Sequence, residues 1–109
     1  MAASTLQQVF GANATQTATT VTITKADLAS TGFTPATTNT ADSILAALIA
    51  FAETNIPDSA VTGGNTAQTI GIADGYQQIT TIGTSQFLIL PKTLNFYSPF
   101  SGTFNPNNY

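Results

Sequence analysis

The stretch TADSILAALIAFAETNIP, residues 40–57, places Ile44, Leu45, Leu48, Ile49 and Ala52 at the three- and four-residue spacing of a helix. Thr40 is suited to cap its start, and Asp42 sits in the first turn, where the helix dipole favours an acid. Asn55 suits a left-handed C-cap, and Pro57 cannot continue the helix. The spacing therefore predicts one main α-helix over about 41–54. Phe51 widens the apolar stripe, and the opposite face carries Ala46, Ala47 and Ala50 where Lys and Glu usually stand. A helix with alanine on its outer face is expected to be covered on both sides.

C-terminal to this helix the period changes from 3.6 to 2. Pro57-Asp58-Ser59 and Gly63-Gly64-Asn65 read as loops. Residues 66–73 and 76–82 flank Asp74-Gly75, a preferred two-residue hairpin turn, which predicts Ile70 opposite Ile79. Gly83-Thr84-Ser85 breaks the chain again. The run Phe87-Leu88-Ile89-Leu90 is apolar without alternation, the pattern of a strand buried on both faces, and Pro91 stops it. Residues 93–98 form a last strand, with Leu94 and Phe96 on one face and Asn95 and Tyr97 on the other.

N-terminal to the helix, Val21 and Ile23 alternate with Thr20, Thr22 and Thr24, a β-branched strand over 19–24. Lys25 to Leu28 makes a turn or one helical turn, and Ser30-Thr31-Gly32 closes it. Residues 4–10 suit a short helix capped by Ser4, with Leu6, Val9 and Phe10 on one side and Gly11 ending it. Residues 12–19 read as a linker or an arm. The fold class is α+β: a small antiparallel sheet or sandwich of four or five strands on one main helix. The chain is one domain over 1–109, with an N-terminal arm or short helix (1–18), a core (19–98) and an extended C-terminal arm (99–109).

Charge sets the expected function. Only 6% of the 109 residues are Asp, Glu, Lys or Arg, against about a quarter in ordinary soluble domains. The polar surface is instead Thr, Asn, Gln and Ser, which lose less than Lys or Glu when removed from water. Net charge is −3, so little repulsion keeps copies apart. The composition favours a protein packed against other chains. Lys25 and Lys92 are the only side-chain cations, which makes nucleic acid a poor partner. The longest apolar stretch, residues 44–52, is about half a membrane span. Residues 1–10, MAASTLQQVF, lack the basic start and long apolar run of a secretory signal.

The chain has no His, Cys or Arg, which removes the commonest general base, the thiolate nucleophile and the usual anion clamp. Each of the five acids has a local structural role: Asp42 at a helix start, Asp27 and Asp74 in turns, Asp58 in a loop, Glu53 in a last helical turn. Neither a calcium-loop spacing nor a phosphate-binding glycine motif occurs. The expectation is a non-enzyme with no catalytic residues, no cofactor, no metal and no small-molecule substrate. Thr20, Thr22 and Thr24 lie about 7 Å apart along one strand face, the spacing of ice-binding arrays. A solvent-facing strand is the simpler reading, and a glycan- or ice-binding surface stands as an alternative.

The run VTITKADLASTGFTPATTNTADSILAALIAFAE, residues 21–53, resembles small virion proteins of tailed bacteriophages, of the cyanophage type. That resemblance implies a capsid decoration, or cement, protein on the capsid surface, made in the host cytoplasm. Its partners would be other virion proteins, the major capsid protein foremost, and copies of itself. A tail, baseplate or fibre subunit is the alternative. For such a protein Phe100, Phe104 and Tyr109 are expected as aromatic anchors on the C-terminal arm, with Tyr97 beside them. Thr20, Thr22 and Thr24 are expected to serve edge-to-edge pairing with a neighbour.

Overall fold

The computed structural model describes residues 4–98 and 103–109. The architecture is α+β: α1 (Leu6–Phe10), β1 (Thr15–Gln16), β2 (Val21–Thr22), a 3₁₀ helix (Lys25–Thr31), α2 (Ala41–Asn55), α3 (Asp58–Thr62), β3 (Ile70–Asp74), β4 (Gln78–Ile82), β5 (Ser85–Ile89), β6 (Lys92–Phe96) and a 3₁₀ turn (Pro106–Asn108).

α2 is the main helix the spacing predicts. Thr40 caps it, its hydroxyl accepting from the Ser43 amide at 3.1 Å. The C-terminus departs from expectation: Asn55 is the last helical residue, and Ile56 is the cap, with φ −129° and ψ 57°, outside the left-handed region. Ile56 gains by this, because its carbonyl then accepts from the Ile72 amide at 3.1 Å and its side chain enters the core. The buried side of α2 also differs. Ala47 and Ala52 are buried, whereas Leu45 is exposed. The 3₁₀ helix packs beside α2, and its Leu28 is fully buried.

The predicted Asp74-Gly75 hairpin does not form. β3 pairs with β6, Ile70 opposite Phe96 and Asp74 opposite Lys92, while β4 pairs with β5, Ile79 opposite Leu88. The turn lies at Gly83-Thr84, between the paired residues Ile82 and Ser85. Gly83 has φ +64°, and no described non-glycine residue has positive φ, the signature of a type II′ hairpin turn. Strands β3 to β6 thus form one long two-stranded ribbon. Gly75 still pairs, its amide donating to the Pro91 carbonyl at 2.9 Å, so Tyr76 and Gln77 together oppose Leu90. That extra residue is a bulge separating the ribbon's base from its tip.

The base is held on both faces. Ile72 joins Ala52 and Ile56 in the core, with Val9, Ile49 and Ile70 against them. On the other face Asn95 and Tyr97 both reach Asp58 of α3, as the predicted alternation of 93–98 requires. The tip has no such support: every residue of β5 is exposed. The expectation that Phe87–Leu90 is buried on both faces is therefore wrong within this chain.

The strand expected over 19–24 is reduced to Val21–Thr22, paired with Thr15–Gln16, so the supposed linker 12–19 supplies its partner. Within the described part of 1–18, Leu6–Phe10 form the short helix and Thr15–Gln16 a strand. Thr5, not Ser4, caps α1 in a reciprocal box with Gln8, and Ala14 is buried.

Candidate interaction surface

Two polar clusters fasten the ribbon's base. In one, the Tyr97 hydroxyl donates to Asp58 Oδ1 at 2.5 Å and the Asn95 amide donates to the same oxygen at 3.2 Å. The Asp58 carboxylate raises the Tyr97 pKa, because a phenolate would lose that hydrogen bond and face a like charge. In the other, Lys92 bridges Glu53 of α2 (2.6 Å) and Asp74 of β3. The hydrogen bond from Lys92 pulls the Asp74 pKa down, and the bonds to Asp74 and then Glu53 push the Lys92 pKa up. Lys92 thus begins β6 and joins it to α2 and β3.

These clusters do structural work. Among the described residues, no group of three or more His, Cys, Asp or Glu side chains could hold a metal ion. No described helix is long and apolar enough to cross a membrane. The open grooves beside α2 are lined by Thr31, Ala46, Ala50 and Thr54, and one of them also by the Glu53–Lys92 ion pair.

The chemistry that stands out is apolar. Beyond the bulge, Tyr76 is 91% exposed, Ile79 75%, Ile82 65% and Leu90 61%, and Phe87, Leu88 and Ile89 are also exposed. These side chains leave apolar groups on both faces of the tip open to water. Ile79 and Leu88 share one face of the ribbon, and Ile82, Phe87 and Ile89 the other. No charged residue occurs from Gly75 to Pro91.

The residues expected to contact partners are distributed differently. Phe104 and Tyr109 fold back onto Phe96, with ring centroids 5.1 Å and 5.5 Å from it and 5.6 Å from each other. Phe104 and Tyr109 are thus engaged within the chain, and Tyr97 is bound to Asp58. Phe100 lies outside the described residues. Thr22 pairs with Thr15, and the Thr20 hydroxyl shares a 2.8 Å hydrogen bond with that of Thr17. Two paired residues make no ordered threonine array. The tip of the ribbon, which carries the largest exposed apolar surface, is the feature that sequence reasoning missed. Its signal was the unbroken apolar run 87–90 with no charge on either flank until Lys92.

No protein-family model, curated protein or solved structure matches the chain.

Proposed function

We propose that this chain is a non-enzymatic virion structural protein, a capsid decoration (cement) protein that binds across neighbouring capsid subunits and stabilises the shell. The observation that carries this reading is surface left uncovered. The chain exposes 7636 Å², where a compact monomer of 11.2 kDa exposes about 5,700 Å². Its radius of gyration is 16.0 Å, against about 13 Å for a compact chain of this length. The exposed tip of the ribbon is rich in apolar side chains and carries no charge from Gly75 to Pro91, the kind of surface that interface cores use. An isolated two-stranded ribbon is marginal in water, so a ribbon of this composition fits a protein completed by its neighbours. The virion assignment itself rests on the resemblance of residues 21–53 to small phage head and tail proteins.

In a decoration role each contact contributes modestly, and symmetry multiplies it over the shell. The test is sedimentation of the protein from its native source, with its stoichiometry in whatever it travels with. Recovery at hundreds of copies in a very large particle supports the shell role. A few copies per particle point to a baseplate or fibre position, and a free chain rejects the assembly reading.

A further inference from the structure

We infer that the ribbon's tip is a self-association element: β5 of one copy pairs edge to edge with β5 of a second copy, antiparallel across a two-fold axis. The argument starts from which edge is open. β5 has β4 on one side, and its other edge carries none of the usual guards against pairing. Natural edges are protected by charged side chains, prolines or short length. Here the first Pro is Pro91 and the first charge Lys92, both beyond the strand.

The choice of β5 over β4 follows from side chains. β4 interleaves Gln78, Thr80 and Thr81 with its isoleucines, whereas Phe87, Leu88, Ile89 and Leu90 are consecutive and occupy both faces. A partner laid on one face leaves the other wet. A strand added at the edge flanks each of these side chains with a new neighbour on its own face, about 4.5–5.5 Å away. One docking event then gives the side chains of both faces a lateral neighbour.

The occupant is a second copy because the edge is complementary to itself. No charge from Gly75 to Pro91 repels an identical ribbon, and none offers an oppositely charged partner anything to recognise. Ile82 and Ser85 close a two-residue turn, so alternate residues starting at Gln86 direct their backbone N–H and C=O groups outward. Leu88 is the central outward position of the apolar run. Pairing Leu88 with Leu88 across the axis sets Phe87 of each copy opposite Ile89 of the other, an isologous contact. The product is a four-stranded sheet, β4-β5-β5-β4, whose faces remain available to a shell.

The full chain is examined by sedimentation equilibrium at about 50 µM, where an interface of ordinary strength is filled. The wild type should weigh twice the 11.2 kDa of one chain. Leu88→Lys and Leu88→Glu, each measured alone, should weigh one chain, because each places like charges at the axis. Mixing the two should restore the double mass. Hydrogen exchange on the wild type supplies a readout that needs no variant: the Leu88 amide should slow as concentration rises. A wild type of single-chain mass overturns the pairing, as does a double mass that persists in Leu88→Lys or a mixture that fails to reassociate. None of these outcomes decides the virion reading, which fails only if the protein travels with no large particle.

Discussion

Tyr97 and Lys92 fasten the same ribbon to the same body, yet their contributions should differ. The Tyr97 hydroxyl reaches a partly buried carboxylate, and hydrogen bonds to charged groups contribute about 1.5–3 kcal/mol. Tyr97→Phe should therefore lower the urea midpoint of unfolding. Lys92 makes its two ion pairs at the surface, where such pairs contribute about 0–1 kcal/mol, so Lys92→Met should cost less than Tyr97→Phe. The pH dependence follows from the directions of the shifts. Tyr97 and Lys92 both have raised pKa values in the folded state, so their contributions are complete below about pH 10 and are lost as pH rises through the folded values. Asp74 is lowered, so its contribution is present above about pH 4 and is lost only as pH falls through the depressed folded value. Thermal melts across pH should thus show an alkaline decline that is shallower in Tyr97→Phe. Leu28 of the 3₁₀ helix is fully buried. Leu28→Ala should cost about 2–5 kcal/mol, seen as a large fall in melting temperature.

Among the elements, α2 was the most legible and the ribbon the least. Thr40, Asp42 and the apolar spacing are short-range signals, and the helix forms where they put it. The ribbon had two glycine turns competing for the same strands. A type I′ turn at Asp74-Gly75 needs positive φ at both central residues, and neither has it. Gly83 closes the hairpin instead, because that closure brings Lys92 beside Asp74 and Glu53, and Asn95 and Tyr97 onto Asp58. These contacts span 18 to 39 residues and have no local signature. Gly71 makes one of them possible. A Cβ there would lie 2.7 Å from the Asp58 Cα, a backbone atom that cannot yield without moving α3. Gly71→Ala should destabilise the chain by more than the few tenths expected of an ordinary surface change, and circular dichroism melts would register it.

At the scale of the whole molecule the ribbon divides into regions of unequal stability. The base is buttressed by α2 and α3, whereas the tip lies in the open. In dilute solution the amides of residues 78–89 should exchange faster than those of 70–74 by at least about tenfold, since local opening requires fewer buried contacts there. In an assembly that covers the tip the difference should shrink. What the sequence by itself determined was the material: an α+β class, one long capped helix, sparse charge and a chain without His, Cys or Arg. These follow from signals within a turn or two of chain, or from composition, which needs no geometry. What only the tertiary structure decided was pairing and exposure. An apolar run such as 87–90 records that it must leave water. It does not record whether its own chain or another will cover it, because burial is a property of the arrangement in space and not of the residue.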